Sequence, residues 1–170
     1  MAKQPEGVTV ALNFADGTVG VMTVITTEYS ADGSVRWSRQ ATPALIEEEI
    51  GRASASFAPE KVPVAGWTPV NVTDIPADRT FRNALRHDGK AFSHCPIHAK
   101  EIALAKVRAH RTPRFAELDA KRMAAGRKGD RYLAARLDAE ADALANLTDP
   151  VKACTTVEEL KKALLTLGVE

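Results

Sequence analysis

The sequence predicts an α+β fold: a small N-terminal antiparallel β meander with one short helix, then a C-terminal helical hairpin closed by a short terminal helix. Three observations carry this. β-Branched residues alternate with smaller or polar ones between Val8 and Ser38, prolines recur from Pro59 to Pro76, and apolar residues take up a three-four spacing after Ala99.

Val8-Thr-Val-Ala-Leu-Asn-Phe14 alternates in the strand period, Ala15-Asp-Gly-Thr18 supplies a turn, and Val19 to Thr27 returns as a second strand. A second turn at Ala31-Asp-Gly33 leads into Ser34-Val-Arg-Trp-Ser38, a third strand that completes the meander. The period then changes. Thr42 is placed to cap a helix, Pro43 suits its first position, Glu47, Glu48 and Glu49 complement its positive end, and Leu45, Ile46 and Ile50 share one face.

Residues 57–77 hold Pro59, Pro63, Pro69 and Pro76, each removing a backbone donor, so extended or looped chain is expected there, with one short strand allowed at Val70-Asn-Val72. The expected organisation is a β-rich docking module over residues 1–56, a Pro-rich linker and hinge over 57–98, and the helical hairpin with its terminal helix over 99–170. Ile102, Leu104, Val107, Phe115 and Leu118 mark the first helix of the hairpin, and Pro113 either kinks it or divides it at Arg111 to Pro113. Gly126 to Asp130 forms the turn, and Leu133, Leu137, Ala141, Leu144 and Leu147 stripe the returning helix. Thr155-Thr-Val-Glu158 reads as a capping box before a terminal helix docked by Leu160, Leu164 and Leu167.

With 45% hydrophobic and 26% charged residues the composition is that of a folded domain, lean in aromatics at 5%. No run is long and apolar enough to span a membrane, Met1 to Glu6 is too polar to begin a signal peptide, and no membrane partner is expected. Cys95 and Cys154 match no disulfide framework and read as free thiols.

The search for chemistry is largely negative. His87, His94, Cys95 and His98 are the one constellation with metal-ligating side chains, but the spacing is not that of a zinc site, Pro96 follows Cys95 directly, and His94 to Ile97 is better read as a turn with Cys95 or Ile97 partly buried. No nucleophile signature or phosphate-cradling glycine loop occurs, and the Glu47 to Glu49 run suits a solvated helix face rather than acid-base work. The expectation is therefore a protein that is not an enzyme and takes no metal or other cofactor.

Charge gives a positive clue. Residues 79–136 hold 15 Lys and Arg against 5 Asp and Glu, a local +10, while the remainder holds 8 against 17, or −9, so the chain's net charge of +1 conceals a basic middle between acidic ends. Arg108, Arg111, Arg114, Lys121, Arg122, Arg127, Lys128 and Arg131 could contact phosphates, yet only Phe115 and Tyr132 accompany them and no nucleic-acid-binding motif is present. Self-association or a complementary protein surface is the better reading, with Arg79, Arg82, Arg108 and Arg111 offering polar contacts and Phe115 and Leu118 apolar ones.

In the segment from Trp67 to Leu85, Asp78 can cap a short helix on which Phe81, Ala84 and Leu85 turn inward while Arg79 and Arg82 project, and Trp67, Pro76, Asp78 and Phe81 read as an architectural hinge whose aromatics fill the junction between modules. Ile75-Pro-Ala-Asp-Arg-Thr-Phe-Arg-Asn-Ala84 resembles a stretch found in small phage and prophage proteins encoded among virion or tail genes. The likeness continues through Ala99-Lys-Glu-Ile102, Val107-Arg108 and Leu118-Asp119, and ends at Thr156-Val-Glu-Glu-Leu160, so that it covers about residues 40 to 165. This chain departs from that pattern at Leu85, where a tryptophan is usual, and at His94-Cys-Pro96, where an acidic-methionine step is common. What the resemblance implies is a virion-associated structural protein, tail or tail-fibre associated, made in the bacterial host cytoplasm. Its partners would be other phage structural proteins and further copies of itself. A tail-fibre assembly chaperone and a capsid decoration protein are the alternatives it leaves open.

Overall fold

The computed structural model describes residues 3–56 and 62–169. Pro59, counted above among the helix-breaking prolines, lies outside them. The chain is α+β and divides into two compact units, Met1–Ala77 with Leu85–Ser93, and Asp78–Ala84 with His94–Glu170.

The first unit is built on a four-stranded antiparallel sheet in the order β3-β2-β1-β4. Strands β1 (Glu6–Phe14) and β2 (Val19–Tyr29) form the expected hairpin, and β3 (Val35–Ser38) pairs back on β2. Asp16 holds the first turn by accepting from the Thr18 N–H at 2.8 Å, and Gly17, at φ 77°, takes the left-handed conformation the turn needs. Helix α1 (Pro43–Ser56) starts where Thr42 accepts from the Leu45 N–H at 3.2 Å. Because partners across an antiparallel pair share a face, Val8, Val10, Leu12 and Phe14 line up with Met22, Val24, Val64 and Trp67, and Leu45, Ile46 and Ile50 of α1 pack against that surface. On the other face Ala11 and Thr9 are buried, with the Thr9 hydroxyl bonded to that of Thr23, and the small hairpin β5 (Leu85–His87) and β6 (Phe92–His94) brings β5 beside β1 and β2.

The fourth strand corrects the sequence reading. Strand β4 (Val64–Pro69) forms there, antiparallel to β1, while Val70-Asn-Val72 makes no strand of its own: Val70 still donates to the Thr9 carbonyl, and Val72–Asp74 closes a 3₁₀ turn. At the sheet edge Pro69 needs no ladder donor on its outer side, so the extended chain expected from these prolines is here a paired strand. Residues 57–98 are accordingly more than a linker, since 64–69 belong to the sheet and 78–84 to the second unit.

The second unit is helical. Helix α2 (Pro96–Lys128) runs unbroken through Pro113, so the proline does not divide it. Gly129, at φ 67°, ends α2 in the left-handed conformation, and Asp130 caps α3 (Arg131–Ala145) by accepting from the Leu133 N–H. A short helix α4 (Asp149–Ala153), not foreseen, leads to α5 (Val157–Thr166). The capping box of α5 lies one residue later than expected, on Thr156 and Glu159. Two apolar clusters hold the unit together: Phe81, Ala84, Ala99, Ala103, Val107, Val151, Leu160 and Leu164 in one, and Leu118, Ala125, Leu137 and Leu144 in the other. Burial of Phe81 alone is worth roughly 1.5–3 kcal/mol.

Candidate interaction surface

The Ile75–Ala84 segment is architecture first. Asp78 accepts from the Thr80 N–H at 2.8 Å and reaches Lys161 on α5 at 2.9 Å. The hydrogen bonds from Thr80, with the Lys161 ammonium behind them, hold the Asp78 carboxyl well below the ordinary carboxylate range. Phe81 and Ala84 enter the core shared by α2 and α5, and a 3₁₀ turn over Arg82–Ala84 takes the place of the expected helix. Trp67 and Phe81 do not fill one junction: Trp67 packs in the sheet core of the first unit and Phe81 in the helical core of the second.

Of the six contact residues named from sequence, three are surface. Arg79, Arg82 and Arg108 are exposed, and their guanidinium groups have no partner among the described residues. Leu118 is 4% exposed inside the α2–α3 seam and so is not free to anchor an outside partner, while Phe115 packs half-buried against the same seam. Arg111 is likewise engaged: its guanidinium donates to the Ala145 carbonyl at 2.7 Å and lies 5.6 Å from the Phe115 ring centroid, tying α2 to the C-terminal end of α3.

Two lysines to which the sequence reading gave no structural role, and Arg122, read there as a possible phosphate contact, make structural contacts. The Lys100 ammonium donates to the carbonyls of Lys152 and Cys154 and so caps the end of α4. Arg122 bridges Asp119 and Asp138, and Lys161 joins Glu158 to Asp78. Nothing local in the sequence announces such pairs, since each depends on which helices meet.

Further exposed basic side chains lie toward the turn end of the α2–α3 hairpin, where Lys121, Arg127, Lys128, Arg131 and Arg136 have no carboxylate partner among the described residues. Met123 and Tyr132 stand out at 63% and 82% exposed. The opposite end of α3 carries Glu140 and Asp142, both exposed and unpaired among the described residues.

The His-Cys constellation is spread over a strand, a cap and a helix. His87 packs its ring on Phe92 at 4.7 Å, Cys95 is the half-buried N-cap of α2, and the His94 Nε2 is buried without a hydrogen-bond partner among the described residues. Of the two residues of which one was expected to be partly buried, Cys95 is the half-buried one, while Ile97 is 70% exposed on the first turn. Among the described residues no group of three or more His, Cys, Asp or Glu side chains is placed to hold a metal ion. Cys95 and Cys154 are free thiols. Glu48 and Glu49 pair with Arg52, and Glu49 also with Arg39 at 2.9 Å, so these carboxylates are engaged in ion pairs on α1. No helix of the described residues is long and apolar enough to cross a membrane.

No protein-family model, no curated protein and no solved structure matches the chain.

Proposed function

We propose that this chain is a non-catalytic structural protein of a bacteriophage particle, tail or tail-fibre associated, that acts through protein–protein binding. The observation that carries the reading is the way the segments of the phage-protein resemblance meet. Phe81 of the first, Ala99 of the second and Leu160 of the last share one core, and the Asp78–Lys161 ion pair ties the first to the helix that carries the last. The segments that carry the resemblance therefore lie together in one folded helical unit. The charges that this unit leaves unpaired sit on its surface, where binding would use them.

In this role the sheet unit docks on one component of the particle, and the helical unit meets further copies of the chain or a neighbouring tail protein. The protein would be made in the host cytoplasm and end in the virion, in multiple copies. Mass spectrometry of purified particles tests this, because a structural protein is retained in stoichiometric amounts. An assembly chaperone would be lost before maturation, and a decoration protein would follow tailless heads.

A further inference from the structure

We infer that the outward face of α3 pairs antiparallel with α3 of a second copy of this chain, about a twofold axis near Leu137. The inference rests on the protein-binding part of the reading above and not on the virion assignment.

The buried stripe of α3 is Leu133, Leu137, Ala141 and Leu144. By helical spacing the opposite face carries Tyr132, Ala135, Ala139, Asp142 and Ala143, all exposed, with Tyr132 82% exposed. Arg131 lies at the edge of that face, about three turns from Asp142. No other described carboxylate or cation occupies either one. Asp138, by contrast, is already held by Arg122.

The placement of these two charges is costly for α3 by itself. A helix favours anions at its N-terminus and cations at its C-terminus. Here the first position is Arg131 and the last turn contains Asp142, with no acid in the first turn and no base in the last. Asp130 caps the first turn and the Arg111 guanidinium reaches the Ala145 carbonyl at the other end, so the helix ends are served by other groups, while Arg131 and Asp142 themselves each keep the unfavourable sense and have no ion-pair partner among the described residues.

A second copy resolves the mismatch. In an antiparallel pair centred near Leu137, Arg131 meets the partner's Asp142, and the twofold axis repeats the contact at the other end. Ala135 then faces the partner's Ala139, small enough for close helix approach, and Arg136 lies beside the partner's Glu140. A parallel pair would instead set Arg131 against the partner's Arg131, so charge selects the antiparallel arrangement. A seam along one helix of 15 residues is smaller than a standard interface, which gives a weak association, with a dissociation constant on the order of tens of micromolar. Many copies held in one assembly would strengthen it.

The test is a charge exchange in the full chain, read by sedimentation equilibrium at low salt. Wild type is expected to dimerise, Arg131→Glu and Asp142→Arg each to weaken dimerisation at least tenfold, and their equimolar mixture to restore it as a heterodimer. The double variant is expected to dimerise like wild type. Both substitutions favour the α3 dipole, so loss of dimer cannot be charged to a weakened helix. Ala139→Glu, which sets like charges near the axis, is expected to be monomeric and gives a second reading. A monomeric wild type, single variants that dimerise unchanged, or a mixture that stays monomeric would overturn the proposal. Any of these would leave the particle measurement untouched.

Discussion

Asp78 and Lys161, far apart in the chain, meet at 2.9 Å, and Lys161 is shared with Glu158 at the same distance. The contact fastens the segment before α2 to the last helix. Hydrogen bonds from Thr80 lower the Asp78 pKa first and Lys161 second, while Glu158 and then Asp78 raise that of Lys161. The depressed carboxyl contributes stability above its unfolded value of about 4, lost as pH falls below it, and the raised ammonium contributes below about 10, lost as pH rises further. Asp78→Asn keeps an acceptor for Thr80 but removes the charge, and should cost about 0.5 kcal/mol, since both side chains retain solvent contact. Asp78→Ala also loses the turn and should cost about 1–2 kcal/mol. Urea melts between pH 3 and 7 check both values, and the gap between wild type and Asp78→Asn should close toward the acid end.

Leu118 separates seam from surface. Its truncation to alanine leaves a cavity in the α2–α3 core and should cost about 2–4 kcal/mol, whereas Arg108→Ala should stay within about 0.5 kcal/mol of wild type. Chemical denaturation of the two variants provides the comparison.

Pro113 sits exposed inside α2, where it deprives the Ala109 carbonyl of its donor, and Thr112 donates its hydroxyl to the Arg108 carbonyl next to the gap. Pro113→Ala should restore the missing bond and stabilise the chain by about 1–3 kcal/mol, read as a higher melting temperature.

The terminal helix depends on its capping box. Thr156 accepts from the Glu159 N–H at 3.2 Å, and the Glu159 carboxylate accepts from the Thr155 and Thr156 N–H groups. Thr156→Ala should cost about 1 kcal/mol, and Thr155→Ala should cost less because only the Thr155 hydroxyl contact to Glu159 is lost. Thermal melts of the two single variants decide which threonine is the cap.

What the sequence disclosed and what it hid follow from range. The α3 stripe, the Thr42 cap and the first hairpin are local patterns, readable because period and turn chemistry act within a few residues. The capping box slipped by one because Thr155-Thr156 and Glu158-Glu159 are doublets that satisfy the motif in two registers. Strand β4 fell within chain expected to be extended, but its place at Val64–Pro69 rather than Val70-Asn-Val72 is set by pairing with β1, which no local pattern encodes. Arg111 looked like a surface cation because its acceptor, the Ala145 carbonyl, comes from another helix. Lys100 and Lys161 escaped for the same reason: their partners are set by packing of α2 and α5, which no local pattern encodes.

The most direct measurement for the whole account is quantitative mass spectrometry of particles purified from cells that make this chain, compared with the total lysate. The account expects the chain in intact particles at a fixed ratio to a known tail component, in several copies, and resistant to salt washing. Particles of full infectivity that lack the chain, while the lysate contains it, would contradict it.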